Sequence, residues 1–231
     1  MAAWKRKRGM SIGPAHSGGY APLRLRGVGL ALHGEPLVQG LDLEVPPGEV
    51  VTLMGRSGTG KSSLLAYMTG TLPQAFRAKG SVSINGTGLD GLPPERRRLG
   101  ILFQDDLLFP HMTVGQNLAF ALPSSLKGGG ARKARVEAAL AEAGLPGFAT
   151  RDPETLSGGQ RARVSLLRVL LAEPLALLLD EPFSKLDVQT RTSFRAFVFD
   201  HARGLGLPTL MVTHDPDDAR AAGGPVINLD E

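Results

Sequence analysis

The sequence predicts an α/β fold: a mostly parallel sheet flanked by helices, with an N-terminal antiparallel β layer and an inserted α-helical subdomain. Three observations predict it. Short, almost uniformly apolar runs at residues 50–54, 99–103, 175–179 and 209–212 suit parallel strands covered on both faces. Alternating or apolar runs at 23–32, 37–45 and 81–85 read as strands of an antiparallel layer. Helical periodicity at 61–69, 131–143, 161–171 and 188–203 supplies the connections. Between Asp105 and about Thr155 the pattern is helical with a Gly128-Gly129-Gly130 break and no convincing strand, so a helical subdomain is expected over roughly 105–165.

A chain of 231 residues holds one such domain and not two. No stretch approaches 18 uninterrupted apolar residues, so the chain is not expected to span a membrane by itself. The net charge of +4 points toward nucleic acid until it is located. Lys5, Arg6, Lys7 and Arg8 are the only charged residues before Arg24. Removing those four leaves 22 basic against 22 acidic residues, a formally neutral body with no basic face for nucleic acid. The stretch 1–22 is rich in Gly, Ala and Ser and reads as a disordered tail. It lacks the apolar core of a secretion signal, so a cytoplasmic location is expected. Zero cysteines exclude disulfides, thiolate metal sites and a cysteine nucleophile.

The chemistry begins at Gly55-Arg56-Ser57-Gly58-Thr59-Gly60-Lys61-Ser62, which matches G-x-x-x-x-G-K-[ST] between a strand and a helix. Its glycines let backbone N–H groups wrap a phosphate. Lys61 brings a cation to the β- and γ-phosphates, and the Ser62 hydroxyl suits Mg²⁺. Ser63 follows on the same helix and belongs to the candidate nucleotide site. A second motif, Leu177-Leu178-Leu179-Asp180-Glu181-Pro182, ends a buried strand in two carboxylates. Asp180 fits a metal ligand and Glu181 a base polarising an attacking water. Alone, two acids before a proline also describe a solvated turn.

Leu156-Ser157-Gly158-Gly159-Gln160 opens a further helix with a hydroxyl, free N–H groups and a positive dipole end, all suited to phosphate. Five specified residues recur by chance about once in a million positions. Gln104, after the run 99–103, can bind Mg²⁺ or the lytic water. His214, after the run 209–212, is placed for a γ-phosphate or water. A lone histidine there is more often a surface residue. Asp187 equally suits a helix N-cap.

In this order these residues resemble the ATP-binding subunit of an ABC transporter, from about Leu23 to the end of the chain. The resemblance implies a P-loop NTPase core of the ABC ATPase fold and an ATPase using ATP and Mg²⁺. It further implies a homodimer in which each ATP lies between one chain's 55–62 loop and the other chain's 156–160 segment. Residues 107–118 look like the L-F-P-H-x-T-V-x-x-N-L stretch of importer ATPases that serve a periplasmic solute-binding protein, among them thiamine, polyamine, sulfate and iron systems. In those proteins this surface receives an integral-membrane permease, so the chain is expected on the cytoplasmic face of the inner membrane. An exporter ATPase, and a scaffold that binds ATP without cleaving it, are the competing readings.

Three departures stand out. His33 falls where an aromatic usually stacks on adenine, 28 positions ahead of Lys61. Lys185 stands where a small residue is commoner, which bears on how the Asp187 loops meet. The sequence runs only 17 residues past His214, so no C-terminal regulatory domain is expected.

Overall fold

The computed structural model describes residues 20–230; the basic cluster of the expected tail lies outside the described residues. In chain order the first half holds β1 (Leu23–Leu32), β2 (Glu35–Val45), β3 (Val50–Met54), α1 (Lys61–Thr69), β4 (Phe76–Ile84), β5 (Thr87–Gly88), α2 (Pro94–Arg97) and β6 (Leu99–Leu102). Then come α3 (Val114–Ala121), α4 (Gly129–Glu142), a 3-10 turn at Pro153–Thr155, α5 (Gly158–Leu171), β7 (Ala176–Asp180), α6 (Val188–Leu205), β8 (Thr209–Thr213), α7 (Pro216–Ala222) and β9 (Val226–Asn228).

Two sheets form, an antiparallel one in the order β2-β1-β4-β5 and a parallel one in the order β6-β7-β8-β3-β9. The uniform apolarity of the parallel strands has a direct cause. Along β7, Leu177 and Leu179 enter a core shared with α3, α4, α5 and α6, while Ala176 and Leu178 enter one shared with α1 and the antiparallel sheet. With both faces buried, these strands favour apolar residues throughout, the buried threonines Thr52, Thr209 and Thr213 being the exceptions. Each such leucine contributes about 2 kcal/mol by burial.

The expected strand at 81–85 begins earlier, at Phe76, because β4 pairs with β1 as far as Leu32↔Phe76. The early residues Arg77 and Lys79 are exposed, and tertiary pairing overrides their weak local signal. The glycine break also differs. Gly128, at φ 88°, ends the preceding loop, but Gly129 and Gly130 form the first turn of α4, where backbone N–H groups have no intrahelical partner in any case. Arg132 ties that turn down by donating to the carbonyls of Ala119, Pro123 and Leu126.

The C-terminal end of α1 is closed by Arg97 from α2. Its buried guanidinium donates to the carbonyls of Tyr67, Met68 and Leu92 at 2.8 to 2.9 Å. These include orphan acceptors of the last helical turn, where a cation is also favoured by the helix dipole. Arg97→Ala is expected to destabilise the fold by about 2–3 kcal/mol, since charged hydrogen bonds to buried carbonyls are lost. A lower urea midpoint at unchanged slope would show it, and an unchanged midpoint would refute it.

Candidate functional site

All strands of the second sheet run the same way, so their C-terminal ends share one edge, the usual place for a ligand in such sheets. From β3 leads the 55–60 loop, from β6 Gln104, from β7 Asp180 and Glu181, and from β8 His214. Residues scattered over 160 positions therefore meet at one rim.

The loop has the backbone features that suit a phosphate. Gly58 and Gly60 both sit at φ 89°, in left-handed backbone that side chains resist, and Gly60 also packs against Leu37 and Val38. Thr59 Oγ1 donates to the Arg56 carbonyl at 2.9 Å, and the Arg56 N–H donates to Asp230 Oδ2 at 3.0 Å. Helix α1 follows with no side-chain cap and no acidic residue in its first turn, so its N–H groups and dipole face the loop. Lys61 Nζ donates to the carbonyls of Gly55 and Arg56 at 2.6 and 2.8 Å. An ammonium has three N–H bonds, so one is left for a phosphate oxygen. Ser62 is exposed at the mouth of the loop, while Ser63 lies partly buried on the next position of the helix.

Ser62 Oγ donates to Asp180 Oδ1 at 2.9 Å, bridging two elements 118 positions apart. Burial pushes the Asp180 carboxyl above the usual aspartate range; the Ser62 hydrogen bond opposes this, Glu181 adds to it and Lys61 opposes it. A serine hydroxyl and a carboxylate with raised proton affinity are hard oxygen donors suited to Mg²⁺.

Consecutive strand residues face opposite ways, yet both carboxylates reach the rim. Asp180 is the last residue of β7, and Glu181 turns at φ +48°, a conformation costly for a non-glycine residue and typical of functional sites. Its N–H still donates to Val212 O at 3.1 Å. Glu181 Oε1 lies 2.9 Å from His214 Nδ1, and Thr213 Oγ1 is 3.4 Å from Oε2. An ionised glutamate only accepts, so Nδ1 carries the hydrogen. In neutral imidazole Nε2 then holds a lone pair, and only the imidazolium offers a second N–H. The histidine side chain is 60% exposed, against 17% for Glu181.

Other expected residues fall into place differently. Strand β6 stops at Leu102, the last residue with a partner on β7, so Gln104 lies in the loop beyond and not at a strand end. It is exposed and lines a cavity of about 290 Å³ together with Asp105, Gly158, Arg161 and Lys185. Lys185 pairs with Asp105, which ties the Asp187 loop to the Gln104 loop within one chain. His33, at φ 51°, is an exposed residue of the β1–β2 turn. Asp187 is the N-cap of α6, its Oδ1 accepting from the N–H groups of Gln189 and Thr190 at 3.1 and 3.0 Å. Hydrogen bonding from Thr190 holds its carboxyl below the usual range.

Segment 156–160 splits by role. The Leu156 side chain is buried in the core and therefore does not face a ligand. Ser157 and Gln160 form a capping box: Ser157 Oγ accepts from Gln160 N–H at 3.3 Å, and Gln160 Oε1 accepts from Ser157 N–H at 3.0 Å. The Ser157 hydroxyl hydrogen remains to be donated. A side chain on Gly159 would run into Thr190, so this glycine is required where α5 meets α6. Gly158 is open: a side chain added there would meet nothing nearer than Leu186, about 4.0 Å from its Cβ.

A second set of residues had no assigned part in the sequence reading: Arg191, Arg195, Thr213, Asp215 and Asp218. Asp215-Pro216 is a recognisable helix start, an N-cap followed by proline at the first helical position. The arginines carried no signal, since polar residues on a helix ordinarily face water.

A glycine-rich loop over a helix N-terminus, with an acid-terminated strand two places along the same parallel sheet, defines a P-loop nucleotide-binding ATPase. Residues 38–184 match the family model described as ABC transporter, and the chain belongs to that family as one of its ATP-binding, ATP-hydrolysing subunits. It is 51% identical over 199 residues to an uncharacterized ABC transporter ATP-binding protein of Escherichia coli (strain K12), covering 86% of this chain and 91% of that one. To the thiamine import ATP-binding protein of Rhizobium meliloti (strain 1021) it is 40% identical over 202 residues, or 87% and 84% of the two chains. A solved structure, the dimeric post-hydrolysis state of an ATP-binding cassette with ADP and Pi, superposes with a TM-score of 0.74 at 29% identity, covering 89% of this chain and 93% of that one.

Proposed function

We propose that this chain powers solute uptake: two copies close head to tail on two ATP molecules, a permease docks against residues 107–118, and a periplasmic binding protein delivers the solute. The observation that carries the reading is the division of phosphate-binding features between two places. The chain's own site joins the 55–62 loop to Asp180, Glu181 and His214, whereas Ser157 and Gly158 present a free hydroxyl hydrogen and an open backbone elsewhere, at the start of α5. A second copy is what would use them. Val188, 82% exposed beside Asp187, fits a surface that becomes covered.

In this reading Lys61 and the loop N–H groups hold the β- and γ-phosphates, and His33 packs on the adenine. Ser62, Asp180 and Gln104 would hold Mg²⁺, which supplies charge neutralisation for the phosphates. Glu181 accepts a proton from the attacking water, His214 orients it, and Asp187 meets the partner's site. Lys61→Ala is expected to weaken ATP binding by about 10- to 100-fold, because a charge-assisted contact to phosphate is lost. Fluorescent-nucleotide titration checks it, and unchanged affinity would remove Lys61 from the site.

The docking surface is pre-shaped. Buried Asn117 accepts from the Phe109 N–H at 2.8 Å and donates to the carbonyls of Phe109, Met112 and Thr113, fixing the loop. Thr113 and Gln116 cap α3 reciprocally. Leu107 and Phe120 stay exposed, and a cleft of about 300 Å³ lies between Leu108, Pro110, Pro153 and Glu154. No helix among the described residues is long and apolar enough to cross a membrane, and in this reading attachment runs through the permease that this surface receives. The uptake direction rests on the named thiamine, spermidine and sulfate import relatives. Affinity-tagged chain should co-purify with a permease, and a solute-loaded binding protein should stimulate ATP turnover in liposomes. Turnover that ignores any binding protein and drives solute outward would establish the exporter alternative.

A further inference from the structure

Helix α6 begins at the Asp187 loop, and two arginines one turn apart on it, Arg191 and Arg195, point toward α7. Arg191 Nη1 donates to Asp215 Oδ2 at 3.0 Å, and Nη2 reaches the carbonyls of Leu186 at 3.3 Å and Ser184 at 3.5 Å. Asp215 is the residue immediately after His214. One guanidinium thus spans the Asp187 loop and the turn that carries His214.

The contacts continue to the reacting side of the site. Asp215 N–H donates to Thr213 Oγ1 at 3.0 Å, and Thr213 Oγ1 lies within reach of both Asp218 Oδ2, at 3.2 Å, and Glu181 Oε2, at 3.4 Å. It has a single hydrogen and serves one carboxylate at a time. Arg195 pairs with Asp218, which is 2% exposed, and approaches Asp215 at 3.6 Å. Two arginines face two aspartates, so the cluster is neutral. Ser184 Oγ donates to the Glu181 carbonyl at 2.9 Å and closes the ring.

We infer that Arg191 is a positioning residue that makes the Asp187 loop and the Glu181–His214 pair move as one body. A change at the Asp187 loop is then passed to the groups that hold the attacking water. Two features favour positioning over plain support. The guanidinium spends its donors on loop carbonyls, which a lysine cannot span because it lacks the planar fork. Its Nε is buried without a partner among the described residues, a cost that an arrangement serving stability alone would have removed.

The inference rests on the ATPase reading of the site, and the test separates the two. In the full chain, Arg191→Ala is expected to lower kcat by about 30-fold with KM within about 3-fold, as for a small displacement of reacting groups. Arg191→Lys keeps the charge and the Asp215 contact but not the carbonyl bridge, and should fall by about 10-fold. Asp215→Asn retains the helix cap; combined with Arg191→Ala it should be no slower than Arg191→Ala alone. Hydrogen exchange, read without nucleotide, should quicken in 184–187 and 213–215 together in Arg191→Ala. A wild-type chain without turnover would sink the ATPase reading and leave exchange to decide the inference. Exchange that quickens in only one segment, multiplicative kinetic effects, or full activity of Arg191→Lys overturns it.

Discussion

Glu181→Gln is expected to cut ATP turnover by about 10²- to 10³-fold while ATP affinity stays within about 3-fold, because only the proton-accepting group is lost. The replacement is nearly isosteric, and the backbone at φ +48° is unchanged by it. Thr213 keeps a carbonyl acceptor. What disappears is the charge that fixes His214 Nδ1 as the protonated nitrogen, along with the basicity directed at water. The ATP-bound dimer should accumulate, visible by size-exclusion chromatography with Mg·ATP. Normal phosphate release from this variant would remove Glu181 from the base role.

Ser157→Arg is expected to abolish hydrolysis while leaving ATP binding to the monomer nearly intact. The side chain it replaces is also the cap of α5, so a loss of about 1 kcal/mol of stability is expected alongside. A thermal melt separates that effect. The geometric content is tested by mixing. In a head-to-tail dimer of one Ser157→Arg chain and one Lys61→Ala chain, one of the two sites is whole. At ATP concentrations too low to fill the weakened Lys61→Ala site, each variant alone is inactive, and an equal mixture should recover about a quarter of wild-type turnover, since half the dimers are mixed and each has one good site. No recovery, or loss of nucleotide binding in monomeric Ser157→Arg, would place segment 156–160 at its own chain's site.

The parallel core was legible because burial on both faces leaves a run of apolar residues that admits no other reading, as in 175–179. Helix α1 was read to the residue, since Lys61 follows a left-handed glycine and Gly70 ends it in the same conformation. The seven-residue helix α7 and the two-turn helix α3 were not individually placed. Both are short, and their caps carry more signal than their periodicity. The start of β4 was invisible for a different reason: Arg77 and Lys79 sit in a strand only because β1 offers them a ladder.

Among the candidate site residues, those whose chemistry is local carry their signal in the sequence. The 55–62 loop is one, because a backbone cradle, a cation and a hydroxyl must be consecutive to surround one phosphate. Asp187 was open between cap and interface, and its cap role is visible in its hydrogen bonds. Lys185, which stands where a small residue is commoner, has its charge engaged by Asp105 of the same chain.

By itself the sequence pointed to the candidate chemistry, a phosphate loop, two acids and a hydroxyl, and determined that the strands carrying them are buried and parallel. These follow from short-range rules of backbone conformation and side-chain type. Only the tertiary structure decided that Ser62 meets Asp180 across 118 positions, that Glu181 escapes the strand pleat by a left-handed turn onto His214, and that Arg191 joins two loops. Such pairings depend on strand order and on which helix face lies inward, and charge or hydroxyl groups bring no periodicity that would announce them in advance.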